Sequence, residues 1–217
     1  MSLFSSSPSG ILKWTTNNDV YERKEAMSST ERTTPVVSSQ SPSAAWLEDP
    51  TVYAVNREAA HSDHHSSNPQ QSLNGTWAVR TAWASEIDLT TAEFAAPALD
   101  ESDYQSIPVP ATLETEGLWR PAYVNIQMPW DGHENPEAPH IPEKNHVALY
   151  RKHFTLEGDL KKMLSESGRV ALAFEGFATA IYVWVDGTFV GYAEDGYTTT
   201  TFDITDIVSK DAEGNHT

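Results

Sequence analysis

Alternation of apolar and polar positions is the clearest pattern in this chain. Between residues 77 and 83, Trp77, Val79, Thr81 and Trp83 share one face, while the small or charged residues between them share the other. This period of two is typical of a strand with one buried face. β-rich runs predict further strands over 147–156, 169–174 and 197–204, and a polar, charged crossover separates the first two of these.

A β-hairpin is predicted where two β-rich runs flank a two-residue turn. Ile181–Val185 and Thr188–Tyr192 are separated only by Asp186-Gly187. Glycine readily supplies the positive φ that a turn this tight demands, so we expect antiparallel strands on either side.

The remaining segments predict irregular structure. Residues 107–142 carry seven prolines, and they should form loops and short extended pieces because proline removes ladder donors. Residues 52–60 are compatible with a short helix or an irregular wrap. Thr205 is placed to cap a short helical turn over residues 206–209.

Two regions differ in composition. The first 43 residues contain 16 Ser or Thr, too polar to offset the entropy of ordering, so we interpret residues 1–44 as a poorly structured leader. Within it, the weakly amphipathic piece Ile11–Tyr21 has the pattern of a segment that docks on another surface. Residues 45–217 have many short strands, long Pro-rich connections and almost no predicted helix. They predict an all-β fold, an antiparallel jelly-roll β-sandwich.

Charge and cysteine content exclude several classes of function. There are 14 basic and 31 acidic residues, a formal charge of −17, which argues against nucleic acid and anionic membrane surfaces as partners. The absence of cysteine excludes a disulfide scaffold, a thiolate zinc site and a cysteine nucleophile. No apolar run approaches the roughly 20 residues that span a bilayer. The N-terminus lacks a basic region followed by an apolar stretch, so we expect a cytoplasmic protein.

A series of short segments occurs in one order across residues 46–217. They are Trp46–Pro50, Asn56–His61, Ser72–Trp77, Ile107–Pro110, Pro121–Ile126, Tyr150-Arg151, Phe174–Phe177, Val183–Gly187, Val190–Asp195 and Phe202–Thr205. In this order they resemble the N-terminal sugar-binding domain of family 2 glycoside hydrolases, a galactose-binding-domain-like jelly roll. The Asn-Arg-x-x-x-His segment and the Tyr-x-Asn-Ile loop favour β-galactosidases over β-glucuronidases or mannosidases.

The resemblance implies a larger enzyme. In such β-galactosidases the jelly roll precedes an immunoglobulin-like domain and a (β/α)8 barrel, whose two glutamates hydrolyse terminal β-D-galactosides such as lactose with retention. We therefore expect no catalytic residue in this chain, no activity of the chain alone, and an end at the turn Gly214–Thr217 before the final strand of the jelly roll. The implied partners are a β-galactoside, the enzyme's own downstream domains and further copies in a homo-oligomer. Sodium and magnesium are the implied ions.

Two residues carry the resemblance into a binding site. Asn125 of the Tyr-x-Asn loop and Asp195 of the Gly-Tyr-x-x-Asp turn match residues that bind galactose hydroxyls, and the matched Asp also helps to hold sodium. An amide donates to and accepts from a sugar hydroxyl, and a carboxylate accepts hydroxyl protons or binds a hard cation. The alternative is purely local: Asp195 caps a turn before Gly196 and Asn125 bonds its own backbone. Gly196 departs from the small polar residue that usually follows this Asp.

Other groups suggest chemistry less specifically. His61, His64 and His65 with Asp63 have the composition of a metal cluster but lie in a Ser-rich loop, where a solvated loop is the simpler interpretation. Trp119 and Trp130 flank the Asn125 loop and could stack on a sugar or pack internally. Five carboxylates could pair for acid–base work, although chance proximity is expected among 31. These five are Glu114, Glu116, Asp131, Glu134 and Glu175.

Two other classes of function remain open at this point. A free-standing carbohydrate-binding module would need a complete sandwich and an exposed aromatic platform. A protein-interaction domain without sugar function would fit an acidic jelly roll but leaves the ordered segments unexplained. The fold does not decide between them, because jelly rolls carry many functions.

Overall fold

A computed structural model describes the backbone of residues 12–15 and all atoms of residues 41–60, 68–121, 125, 128, 130–211 and 214–217. These residues contain strands β1 Leu12–Thr15, β2 Ala54–Val55, β3 Gly75–Trp83, β4 Gln105–Val109, β5 His146–Arg151, β6 Ala171–Phe174, β7 Ile181–Val185, β8 Thr188–Ala193 and β9 Thr200–Asp203. The helices are α1 Gly158–Ser165 and α2 Thr205–Val208, with 3-10 turns at Ala44–Glu48, Ala84–Glu86, Glu93–Ala95 and Ser209–Asp211. In the described parts of the chain, no helix is both long and apolar enough to cross a membrane.

The strands form three antiparallel sheets of three strands each, in the orders β1-β6-β9, β2-β8-β7 and β4-β3-β5. The nine residues of β3 pair with β4 through their first half and with β5 through their second half. The predicted all-β class is confirmed. β1 comes from the leader and pairs with β6, so part of the amphipathic piece Ile11–Tyr21 contributes an edge strand.

One apolar core joins the sheets. Val79 of β3, Ile107 of β4, Leu172 of β6, Val183 of β7 and Phe202 of β9 all belong to one buried cluster. Side chains alternate along each strand, so one face of each sheet supplies the core. Burying an aliphatic or aromatic side chain of this size contributes about 1.5–3 kcal/mol.

Helix α1 was not predicted, because its sequence is charged and short. Leu160 and Leu164, four residues apart, pack on the core and supply its buried stripe. The helix ends where Ser167 adopts φ 65° and the amide of Gly168 donates to the Met163 carbonyl at 2.8 Å. This pattern is a Schellman motif, and a side chain on Gly168 would lie 2.7 Å from that same carbonyl oxygen.

The predicted hairpin is present, with Asp186 at φ 51° and Gly187 at φ 75° between β7 and β8. The predicted strand 147–156 is shorter than expected, because β5 ends at Arg151 and Phe154 forms a separate bridge with His216.

Other predicted boundaries need correction. The strand predicted over 197–204 shortens to β9, because a turn occupies its start. The capping role predicted for Thr205 is wrong: Ile204 is the N-cap, and the Thr205 hydroxyl contacts Asp203 and the Val170 amide. Within the Pro-rich region, Pro108 lies in β4, which is an edge strand and tolerates the missing donor. Residues 52–60 form an irregular wrap around β2.

Candidate functional site

Asp195 lies just beyond β8, in a turn exposed to solvent. Its backbone has φ 62°, and its carbonyl accepts from the Thr198 amide at 3.2 Å. Within the described residues its carboxylate makes no hydrogen bond or ion pair. The turn is therefore held by backbone, and the carboxylate is available to a ligand.

The neighbouring carboxylate, Glu194, is occupied. The Tyr192 hydroxyl donates to it at 2.5 Å, and the Glu194 amide donates to the Tyr53 carbonyl at 2.9 Å. Burial and the hydrogen bond to Glu194 raise the pKa of Tyr192 far above its usual range. Of these two adjacent acids, only Asp195 presents a carboxylate that is not already engaged within the described residues.

The turn that carries Asp195 packs against Phe177. The Phe177 amide donates to the Gly196 carbonyl at 3.0 Å, and Phe177 is buried. A Cβ at Gly196 would lie 1.7 Å from the Phe177 carbonyl oxygen, a distance no side chain can accept. This contact therefore requires glycine at position 196.

Exposed aromatic side chains were missed by the sequence analysis. Tyr53 is 63% exposed, and its carbonyl accepts from the amide of Glu194, the residue before Asp195. Tyr197 is 77% exposed and lies two residues after Asp195. Tyr197 was predicted to begin a strand, whereas it belongs to the turn. The available signal was Gly196, which marks a turn within a run that otherwise reads as a strand.

Asn125 is exposed in a bend. Residues 122–124, 126, 127 and 129 around it lie outside the described residues. Trp119 packs against the core and meets the His146 ring edge-on at 4.5 Å between centroids. Trp130 is half-buried, and its carbonyl accepts from His133 and Glu134.

Two of the five carboxylates considered for acid–base work hold loops instead. Asp131 accepts from the Met128 amide at 2.7 Å. Glu134 accepts from the amides of Glu143 and Lys144 at 2.6 and 2.8 Å. Among the described residues there is no group of three or more side chains suited to a metal. His61, Asp63, His64 and His65 lie outside them.

The first two segments of the ordered series, Trp46–Pro50 and Asn56–His61, are anchored to the sheets by side-chain contacts. Trp46 stacks on Tyr182 with ring centroids 6.0 Å apart. The Asn56 amide side chain donates to the Val190 carbonyl at 3.0 Å, which anchors the segment to β8. Arg169 bridges Glu58 and Asp203, tying the same segment to β9.

Residues 70–215 match the family described as "Glycosyl hydrolases family 2, sugar binding domain". The chain belongs to this family. It is 49% identical to "Beta-galactosidase BgaC" of Bifidobacterium adolescentis, with 83% of this chain and 18% of that protein covered. It is 42% identical to "Beta-galactosidase" of Lactobacillus delbrueckii subsp. bulgaricus, covering 77% and 17%. The "Beta-galactosidase" of Streptococcus thermophilus is 41% identical, covering 75% and 16%.

The family 2 match confirms the resemblance drawn from the ordered segments. The chain spans less than a fifth of the length of these three relatives, and the aligned part is its own sugar-binding domain.

Proposed function

We propose that this chain is the N-terminal jelly-roll domain of a retaining β-galactosidase that acts on terminal β-D-galactosides such as lactose. The family match and the relatives named β-galactosidase support this proposal. In it, the domain supplies substrate contacts and assembly surface to a homo-oligomer, and the catalytic glutamates belong to another domain. The observation that carries the site assignment is the exposed, unengaged carboxylate of Asp195 on a locked turn.

Asp195 and Asn125 are the proposed sugar contacts. An ionised carboxylate accepts hydrogen bonds from two sugar hydroxyls, and an amide both donates and accepts. The Gly196–Phe177 contact holds the turn in place before the sugar arrives, which reduces the entropy lost on binding. Contacts that strengthen as the sugar ring flattens lower the barrier, so they act on kcat as well as on binding.

Asp195 also fits a sodium ion as one hard oxygen ligand. It is exposed and unengaged among the described residues, and the remaining ligands would come from elsewhere in the enzyme. When bound, the ion supplies positive charge near the sugar hydroxyls. For the magnesium implied by the family, no residue of this chain is proposed.

The test is steady-state kinetics of Asp195→Asn in the full-length enzyme at varied sodium concentration. We expect kcat/KM to fall at least about tenfold, with altered sodium dependence, because a site group left unpaired costs roughly 1–3 kcal/mol. Glu194→Gln is the matched control and should retain activity, because Glu194 bonds inward to Tyr192. Asn125→Ala should lose less than Asp195→Asn, or shift the balance between hydrolysis and transfer.

Two outcomes contradict the assignment. If Asp195→Asn matches the parent at every sodium concentration while Glu194→Gln is crippled, the site is displaced by one residue. If neither change matters, the domain is a scaffold only.

A second candidate function is sugar binding by the chain itself, as a carbohydrate-binding module. The exposed rings of Tyr53, whose carbonyl accepts from the Glu194 amide, and of Tyr197, two residues after Asp195, favour it, because sugars stack on aromatic faces. Titration calorimetry of the 217-residue chain with lactose tests this: saturable heat that Tyr197→Ala abolishes supports a binding module.

A further inference from the structure

One tryptophan at the end of β3 is exposed to solvent although a second ring covers part of it. Trp83 is the last residue of β3 and is 41% exposed. It pairs with His146, the first residue of β5, and the two rings stack with their centroids 3.7 Å and their planes 24° apart. The strand register therefore supports the indole from one side and leaves the rest of the ring to solvent.

The supporting imidazole is itself fixed. The Trp119 ring meets His146 edge-on, with their planes 81° apart, and Trp119 packs against the buried core. Burial lowers the pKa of His146, so its imidazole is neutral at pH 7 and stacks as an uncharged ring. We call these three rings the Trp83 platform. Because the platform is held in place in advance, a ligand loses less entropy in binding to it.

The backbone of the platform is fixed on both sides of the indole. The Trp83 amide donates to Glu86 Oε2 at 3.0 Å. The next amide, that of Ala84, donates to the Asn145 carbonyl at 2.7 Å and ties the strand end to the residue before His146. The exposed ring thus stands on a turn with little freedom to move.

Hydrogen-bonding groups surround this ring. Ser85 and Glu86 follow Trp83 in the turn, and both are exposed. Within the described residues the indole N–H of Trp83, the Ser85 hydroxyl and Glu86 Oε1 make no hydrogen bond. The turn therefore offers donors and an acceptor beside an apolar ring, all of them available to a ligand.

The size of the exposed apolar surface argues against a protein partner. Along β3 the exposed residue on the same face as Trp83 is Thr81, and the residues after Trp83 are polar. A stable protein interface buries about 800 Å² on each side around a cluster of apolar side chains. A single indole in polar surroundings is much smaller than that, and it matches the area of one sugar ring.

A cation is the competing small ligand, because the chain is acidic and Glu86 lies in the turn. An ammonium group carries no acceptor, so it would leave the indole N–H without a partner. Its attraction to an exposed ring is also weak and screened by salt. A neutral ring with hydroxyls at its rim uses the indole face, the N–H donor and the carboxylate acceptor together.

We propose that the Trp83 platform binds a neutral saccharide, one of whose pyranose rings stacks on the indole through a face of C–H bonds. Hydroxyls at the rim of this ring accept from the indole N–H and donate to Glu86 Oε1. A pyranose with only equatorial hydroxyls fits best, because both of its faces carry C–H bonds alone. Trp83 ends β3, whereas Asp195 follows β8 in another sheet, so the inference does not rest on the proposed galactose contacts.

The experiment titrates the ¹⁵N-labelled 217-residue chain with cellobiose, whose β-glucosyl units have equatorial ring hydroxyls. The backbone amide resonances of Ser85 and Glu86 report binding, since both are present in every variant below. We expect saturable shifts with a Kd of millimolar order. Sorbitol is the matched control ligand, because it carries hydroxyls without a ring face, and it should shift neither amide at the same concentration.

Variants assign the binding to the indole. Trp83→Ala should raise the Kd for cellobiose at least about tenfold, and Trp83→Phe, which keeps a smaller ring, should raise it about threefold. Tyr197→Ala removes an exposed ring elsewhere and should leave the Kd unchanged. Asp195→Asn should also leave it unchanged, so failure of this site and failure of the proposed galactose contacts are distinguishable.

Four outcomes overturn the inference. Cellobiose leaves both amides unmoved, or Trp83→Ala and Trp83→Phe bind it as the parent does. Sorbitol shifts the amides as much as cellobiose. Tetramethylammonium chloride, the probe for a cation site, shifts them at lower concentration than cellobiose and loses this effect in Glu86→Gln. Sedimentation shows a dimer that Trp83→Ala converts to a monomer, which means that a second copy of the chain covers the ring.

Discussion

Adjacent residues at the end of β8 have opposite environments. Glu194 turns inward to the Tyr192 hydroxyl, while Asp195 presents its carboxylate to solvent. Glu194 follows Tyr192 by two residues and so lies on the same face as Tyr192, whereas Asp195, at φ 62°, belongs to the turn that follows. The position of a single backbone turn therefore decides which acid can serve as a ligand.

At the residue scale, Gly196→Ala should destabilise the fold by about 3 kcal/mol, because its Cβ would collide with the Phe177 carbonyl oxygen. Gly176→Ala is the matched control. Its Cβ would lie 3.7 Å from the nearest atom, the Gly196 carbonyl oxygen, so the change should stay within about 1 kcal/mol. Urea unfolding of both variants measures the difference. Equal stabilities would show that the turn is not held by this contact.

The acid-sensitive contact of Asp203 gives a second prediction. Burial raises the pKa of its carboxyl, but hydrogen bonds from Thr205 and Arg169 outweigh that effect and leave the pKa below its usual value. A carboxyl with a lowered folded pKa stabilises the fold above its unfolded pKa of about 3.9, and this stabilisation is lost as pH falls through the folded pKa. Asp203→Asn should therefore lower the free energy of unfolding at pH 7.

The size of that loss should shrink as pH falls below about 4, when the parent carboxyl also becomes protonated. Urea unfolding of the parent and of Asp203→Asn between pH 7 and pH 2.5 measures how this difference in the free energy of unfolding depends on pH. Glu137→Gln is the control, since Glu137 is exposed and its side chain makes no hydrogen bond within the described residues. A difference between parent and Asp203→Asn that is constant with pH would contradict the argument.

At the scale of elements, the β7–β8 hairpin does more than reverse the chain. Asp186 adopts a left-handed conformation in the turn. Its carboxylate also hydrogen-bonds to the His216 ring nitrogen Nδ1 at 2.7 Å and accepts from the Thr217 amide. One side chain thus links the hairpin to the segment that pairs with Phe154.

Asp186→Ala should lower the free energy of unfolding by about 2–3 kcal/mol. It leaves the buried His216 ring without its acceptor and places alanine at positive φ. Asp186→Asn should lose only about 1 kcal/mol, because asparagine tolerates this conformation and keeps an acceptor oxygen. Chemical unfolding compares the two variants, and exchange at the His216 amide reports whether the segment detaches. An Asn variant as unstable as the Ala variant would show that charge, rather than geometry, holds the contact.

At the scale of the whole molecule, three small sheets are stable because they share one core. Each sheet alone would expose an apolar face, and the buried cluster collects residues from all three. The formal charge of −17 predicts weak binding of nucleic acid and other polyanions.

The 217-residue chain by itself should hydrolyse no β-galactoside. Its matched residues form the sugar-binding domain, and in the function proposed above the two catalytic glutamates belong to another domain. Incubation with a chromogenic galactoside at high protein concentration checks this. Turnover that copurifies with the chain through gel filtration would contradict the expectation.

The sequence determined the features that depend on local pattern. Period-two alternation predicted β3, β-rich runs predicted β5, β6 and β9 with longer bounds, and Asp186-Gly187 predicted the β7–β8 hairpin, because these signals act within a few residues. Strands β1, β2 and β4 were not predicted. The ordered segments established the family, and the turn after β8 carried Asp195.

Only the tertiary structure decided the features that depend on distant partners. Helix α1 forms because two leucines meet a core built by other elements, and Gly196 is required because Phe177 lies behind it. Strand order also has no local signature, because it is set by pairing between residues far apart in the chain.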